Sequence, residues 1–283
     1  MQLPKLISQW IVKTISSDDF KIEPISGGCI NQAFRIKATK KEQYFLKFNL
    51  SARSDMFKKE AEGLEALNQQ VEAIAPQVIA YSDQALLVEY LSPRSPDGKY
   101  WQELGEKLAL LHSRTFDSFG FHSDNYCGLT PQVNQLTQSG FEFFAKYRLE
   151  YQAKMAFDSG LLTKKFLKKL ELISSKLAGL IPEMPAVLTH GDLRSGNVSS
   201  TRNGAKIFDP ACYFGWAEAE LAMTCLFGGF EKEFYQAYEA NSGVRKDWRE
   251  RTPLYNLYHL LNHVNLFGDC YVRQVENILR RYV

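Results

Sequence analysis

Apolar residues near the N-terminus (Leu3, Leu6, Ile7, Trp10, Ile11) recur at helical spacing, so residues 1–15 read as an amphipathic helix. The period then changes to that of strands. Phe20–Ile25, Ala33–Lys37 and Gln43–Phe48 are short apolar or alternating runs separated by turn residues. A helix is predicted over Ala52–Gln69, with Phe57, Ala61, Leu64 and Leu67 on one face. Ala75-Pro76 ends it, and Gln77–Tyr81 and Ala85–Tyr90 predict two more strands around Ser82-Asp83. Beyond Ser92-Pro93 and Pro96-Asp97-Gly98 the pattern turns helical. Helices are expected at 99–112, 141–157, 162–180, 216–226, 231–240, 248–267 and 271–282. Phe116–Asn134 reads as a long aromatic loop, and Ala186–Leu188 and Ala205–Phe208 as short buried strands. The prediction is an α+β, bilobal chain. Residues 1–91 form a lobe built on a five-stranded sheet and the Ala52–Gln69 helix, and residues 92–283 a larger, mainly helical lobe.

The candidate chemistry sits where those last two strands fall. Ala186–Leu188 runs into Thr189-His190-Gly191-Asp192, Asn197 follows five residues after Asp192, and Ala205–Phe208 delivers Asp209 just before a proline. Phosphoryl transfer by kinase-type enzymes needs this set: one carboxylate to take the acceptor's proton, and an amide and a second carboxylate to hold magnesium on the phosphates. The spacing from His190 to Asn197 matches the catalytic-loop pattern H-x-D-x-x-x-x-N. Asp192 is therefore the candidate catalytic base, and Asn197 and Asp209 are the candidate Mg2+ ligands. His190 and His112 read as structural.

The first ninety residues supply the complementary parts. Gly27-Gly28 lies in a turn between two strands, where bare backbone amides approach phosphate oxygens closely. Lys47 is the lone charge inside QYFLKF and is expected to grip the phosphates of ATP. Glu60 falls on the apolar face of the following helix, where a carboxylate needs a partner, and Lys47 is the natural one; Glu62 points further round. The hinge is placed at Glu89–Ser92. By analogy with kinases, the Glu89 carbonyl and the Leu91 amide would meet the adenine edge.

Composition narrows the class. The chain has 283 residues, 45% hydrophobic and 23% charged, enough for a large core. A net charge of +2 argues for neither a nucleic-acid nor a membrane partner. No run approaches the roughly 20 apolar residues of a membrane span, and the N-terminal segment is not a signal peptide. Five cysteines, odd in number and without a CxxC pair, suit a reducing cytoplasm. Lys164, Lys165, Lys168 and Lys169 read as a solvated helix face.

Several stretches resemble one family nearly end to end: SGGCIN, MFKKEAEGLEAL, FGFHSDNYCGLTPQVNQ, FFAKYRLEYQ, HGDLRSGNV, FDPACYFGWAEAELAMTCLFGGF and LYHLLNHVNLFG. The chain is similar to the fructosamine (ketosamine) kinases, themselves similar to aminoglycoside and choline kinases. The HGD and Asp-Pro motifs are widespread; the other stretches are narrower. The resemblance implies a protein-kinase-like fold and ATP- and Mg2+-dependent phosphorylation of the sugar 3-hydroxyl of a ketosamine. The substrates it implies are small or protein-bound adducts, ribulosamines and erythrulosamines ahead of fructosamines, with the reaction expected to start deglycation. A monomer or homodimer is expected. One departure stands out: the family's HGDLWSGN has Arg194 in place of tryptophan, a candidate substrate or phosphate contact. Glu220, where aspartate is frequent, is expected to brace the catalytic loop. In the family the helix carrying His263 borders the acceptor pocket, so His263 is a candidate sugar contact. Cys29, at the tip of the glycine turn, is a candidate redox-sensitive thiol. The alternatives are a kinase for another small alcohol, of aminoglycoside- or choline-kinase type, and a pseudokinase; the latter would be expected to have lost one of Lys47, Glu60, Asp192, Asn197 or Asp209.

Overall fold

A computed structural model describes residues 3–25, 31–38 and 42–283. Gly27, Gly28 and Cys29 lie outside the described residues. In chain order the elements are α1 (Lys5–Ile15), β1 (Lys21–Pro24), β2 (Gln32–Lys37), β3 (Gln43–Phe48), α2 (Met56–Gln70), β4 (Val78–Ser82), β5 (Ala85–Glu89), α3 (Gly98–Leu111), β6 (Thr115–Phe116), β7 (Asn125–Cys127), β8 (Thr130–Gln132) and α4 (Gly140–Phe143). A π-helical segment, Phe144–Glu150, leads into α5 (Tyr151–Asp158) and α6 (Lys164–Leu180). Then come β9 (Ala186–Thr189), β10 (Val198–Thr201), β11 (Gly204–Ile207), β12 (Tyr213–Gly215), α7 (Ala217–Leu226), α8 (Lys232–Asn241), α9 (Trp248–Phe267) and α10 (Val272–Tyr282).

The chain divides into two compact units. The first comprises Met1–Ser95 with Ser199–Asp209. Its sheet is antiparallel in the order β1-β2-β3-β5-β4. Strand alternation sorts its side chains: Phe34, Ile36, Leu46, Phe48, Ala85 and Leu87 pack with Ile7 and Ile11 of α1 into one buried cluster. Lys47, between Leu46 and Phe48, points to the opposite face. α2 starts at Met56 rather than Ala52, because residues 49–55 form turns: the Asn49 side chain accepts the Ser51 N–H at 2.9 Å and the Asn49 carbonyl that of Ala52. The later segment is tied in by backbone bonds from Ile207 N–H to Ile74 and from Arg94 N–H to Ser200.

The second unit comprises Pro96–Val198 with Pro210–Val283 and is mainly helical. β9 is the middle strand of a small sheet, β12-β9-β6, which delivers its last residue, Thr189, to the loop that follows. Two expectations are corrected. The aromatic stretch Phe116–Asn134 is not only a loop, since it contains β7 and β8 and the end of β6; strands of two or three residues are too short to show a period. The predicted single helix 141–157 is instead α4, a π segment and α5. The π segment carries Arg148, fully buried against the rings of Phe143, Tyr213 and Tyr258. Among the described residues no helix is long and apolar enough to cross a membrane.

Candidate active site

The loop after β9 is shaped by its backbone. Gly191 has φ +83°, and a Cβ there would collide with the carbonyl oxygen of Ala211. The N–H groups of His190 and Gly191 both point at the Glu220 carboxylate, the second at 3.1 Å. The Ala211 N–H donates to the His190 carbonyl at 2.8 Å. His190 is fully buried, and its Nδ1 accepts the Asp192 N–H at 3.3 Å. The turn is therefore held at several points, and it presents the Asp192 side chain at 18% exposure. Asn197 Nδ2 donates to the Asp192 carbonyl at 2.8 Å and to its Oδ2 at 3.1 Å, which fixes the carboxylate. With its N–H groups so used, the Asn197 amide oxygen is its remaining ligand atom. Arg194 Nε lies 3.7 Å from Asp192 Oδ2, and the side chain is 42% exposed.

A buried polar network lies in the same unit. Gln132 Nε2 donates to the Ala211 carbonyl at 3.0 Å, and Asn125 Nδ2 to the Cys212 carbonyl at 2.8 Å. Asn134 joins Asn125 to the Arg148 guanidinium, and the Tyr258 hydroxyl donates to Gln132 Oε1. A second buried group joins α7 to α9: Arg251 and the Tyr255 hydroxyl both donate to Glu218, at 2.6–2.7 Å and 3.0 Å. Sequence reasoning passed over Gln132, Arg148 and Glu218. Their one signal was polar residues inside otherwise apolar stretches.

α9 also carries His259 and His263. Burial lowers His259 to about 3, aided by His263 and Arg148, so its imidazole is neutral. His263 Nδ1–H donates to the His259 carbonyl at 2.8 Å, and its ring packs among Phe227, Phe267 and Tyr271. Burial is also the main reason its pKa is lowered. Cys127 is buried on β7; burial, then the Asp192 charge, pushes its thiol far above the ordinary range. A groove of about 450 Å3 in this unit, walled by Phe116, Phe119, Phe141 and Trp216, contains none of the predicted site residues.

In the first unit Lys47 Nζ is held by Glu60 at 2.9 and 3.0 Å and by Asp209 Oδ1 at 3.0 Å. Burial alone would lower the lysine's pKa, but the carboxylates of Asp209 and Glu60 outweigh it and raise it beyond the ordinary value. Burial raises Glu60. Asp209 has φ +57°, and the following proline already disfavours the right-handed helical region. Its carboxylate remains 43% exposed. Glu89 closes β5: its N–H donates to the Gln77 carbonyl at 2.8 Å, and its carboxylate faces the Gln77 N–H and Lys206. Carboxylate and amide oxygens are hard donors of the kind Mg2+ takes, so Asp209 and Asn197 fit that ion chemically. The structure thus groups Lys47, Glu60 and Asp209 in one unit, and Asp192, Arg194 and Asn197 in the other.

Comparison with known proteins agrees along the whole chain. The family model for fructosamine kinase matches residues 3–283. A probable ketoamine kinase of Enterococcus faecium is 36% identical over 282 residues, covering 96% of this chain and 99% of that protein. The chloroplastic protein-ribulosamine 3-kinase of Arabidopsis thaliana is 35% identical, covering 98% and 87%. The crystal structure of a candidate fructosamine-3-kinase from Thermobifida fusca matches with a TM-score of 0.90 at 29% identity, over 97% of both chains. An aminoglycoside phosphotransferase solved with streptomycin and ATP shares the kinase-like fold, with a TM-score of 0.66 at 17% identity over 99% of this chain and 97% of that one. The chain belongs to the fructosamine kinase family, and it is an ATP-dependent kinase.

Proposed function

We propose that the protein phosphorylates the sugar 3-hydroxyl of ketosamines, ribulosamines and erythrulosamines ahead of fructosamines, and so starts their removal from amines. The observation that carries this reading is the Asp192 carboxylate, locked by Asn197 yet open to solvent. The names of the ketoamine and ribulosamine kinase relatives support the acceptor class.

Asp192 orients the acceptor hydroxyl and takes its proton as the oxygen bonds to the γ-phosphorus and the bond to ADP breaks. Lys47, positioned by Glu60, holds phosphate oxygens. Asn197 and Asp209 would hold Mg2+, which supplies charge neutralisation on the phosphates. Gly27 and Gly28 cover the phosphates, and the Glu89 carbonyl and Leu91 amide receive the adenine edge. Arg194, beside Asp192, approaches the transferred phosphoryl group and disfavours a cationic acceptor; His263 contributes to the sugar pocket. A cytoplasmic location would supply both the ATP and the reducing conditions that its cysteines suit.

The test is ADP release from ATP and Mg2+ with ribulosamine, erythrulosamine and fructosamine adducts beside choline and an aminoglycoside. Turnover confined to ketosamines is expected. Asp192→Asn should lower kcat by about 10²–10⁴ while ATP still binds. Full activity in that variant would overturn the assignment of the base, and turnover of choline or the aminoglycoside alone would overturn the acceptor class.

A further inference from the structure

Among the described residues one group of histidine, cysteine and carboxylate side chains converges closely enough to hold a metal ion. Cys127, Asp192 and His259 each offer one ligand atom, and the three lie within 4.8 Å of one another. They come from β7, the loop after β9 and the middle of α9. Their meeting is therefore a product of the tertiary fold and not of a local motif.

We propose that this trio is an inhibitory site for a soft divalent cation, Zn2+ above all, which takes Asp192 out of catalysis when it binds. The inhibitory half rests on Asp192 being the base; the binding half does not. The donor set decides the metal. Sulfur, imidazole nitrogen and one carboxylate oxygen are zinc ligands, whereas Mg2+ takes oxygen and dehydrates reluctantly. In a tetrahedral site such donors stand about 3.5 Å apart, so small side-chain rotations close the observed spacing. Three protein ligands leave a fourth position for water, the arrangement of an open zinc site.

The surroundings are prepared in the same sense. The thiol and the imidazole are 2% and 4% exposed, and the His259 Nδ1 is buried without a hydrogen-bond partner. Asn262 Nδ2 donates to Cys127 Sγ at 3.3 Å, the kind of outer hydrogen bond that orients a metal-bound thiolate. Binding forms a sulfur–metal bond as the thiol proton leaves for solvent, and no electrons are transferred. Thiolate and carboxylate together balance the two charges of the cation.

Cobalt(II) reports the site without any need for turnover. The whole protein would be titrated with Co2+ and read by absorption, beside Cys127→Ser and His259→Gln with their thermal unfolding checked. The expected result is a sulfur-to-cobalt charge-transfer band at one Co2+ per chain, lost in both variants. No band in the wild-type protein, or a full band in Cys127→Ser, overturns the site. Should Cys127→Ser fail to fold, Cys127→Ala serves in its place. Kinase turnover would then be measured against buffered free Zn2+, each variant normalised to its own zinc-free rate. Cys127→Ser should raise the half-inhibiting concentration about tenfold or more. Equal zinc sensitivity in the two proteins overturns the inhibitory role. A cobalt band that behaves as expected in a protein that turns over no ketosamine would sustain the site and overturn the function proposed above.

Discussion

At the scale of single residues, two side chains carry the sharpest tests. Glu60 holds Lys47 through both of its oxygens. Glu60→Gln keeps the shape and removes the charge, so it should raise the ATP KM about tenfold and leave the ketosamine KM nearly unchanged; initial rates with each substrate varied would show equal shifts if Glu60 were only a packing group. Arg194, where the resemblance leads one to expect tryptophan, lies beside the Asp192 carboxylate. Arg194→Trp should change the ranking of ribulosamine against fructosamine by several-fold in kcat/KM with the ATP KM intact, and an unchanged ranking would remove Arg194 from the acceptor site. The pairing of Lys47 with Glu60 was legible because the helix period places Glu60 on the apolar face, where a carboxylate needs a partner, and Lys47 is the lone charge in the preceding strand. The third member, Asp209, was not legible as a Lys47 partner, since 162 residues separate them and only the folded chain unites them.

At the scale of elements, the loop after β9 was legible from its spacing, and Glu220 as its brace from the family resemblance, whereas the support from Gln132 was not. Glu220 binds the His190 and Gly191 amides from the first turn of α7, and Gln132 holds the Ala211 carbonyl from β8. Neither bond follows from any local pattern. The π-helical turn was hidden for a related reason: Phe144–Glu150 has the apolar spacing of an ordinary helix, and its wider turn suits Arg148, which bonds to Val133 and Asn134. Arg148→Met keeps much of the volume and leaves those acceptors unpaired. It should cost about 2–3 kcal/mol of stability, seen as a lower urea midpoint, and should lower kcat more than it raises the ATP KM. A midpoint equal to wild type would show that the network is dispensable. Gly191→Ala should be worse for activity than for folding, because its Cβ meets the Ala211 carbonyl while φ must stay positive; wild-type kcat in that variant would mean that the loop relaxes without cost.

At the scale of the whole molecule, the change of hydrophobic period near residue 95 is plain in the sequence. The return of Ser199–Asp209 to the first unit is not, because it is made by backbone pairing with Ile74 and Arg94. Acid stability is a property of this scale. Hydrogen bonds from Arg251 and Arg245 hold the Asp247 carboxyl well below its ordinary 3.8. A depressed carboxylate stabilises the fold fully above its unfolded value and loses that contribution as pH falls through the folded one. Asp247→Asn should therefore have a lower Tm than wild type at pH 7, with the gap narrowing as pH drops below about 3.8. A gap that stays constant down to pH 2 would show that Asp247 carries no linked proton.

The sharing of Lys47 has a consequence for which solutes the first unit admits. Its ammonium already has two internal counter-ions, Glu60 and Asp209. An arriving anion does not find an empty positive socket; it has to displace Asp209. Chloride or free inorganic phosphate offers Asp209 no new neighbour in exchange. A polyphosphate that brings its own cation does, because the displaced carboxylate can turn to that cation. On this arrangement the unit should act as an ion exchanger rather than a receptacle, favouring an anion that carries its own cation over a simple one.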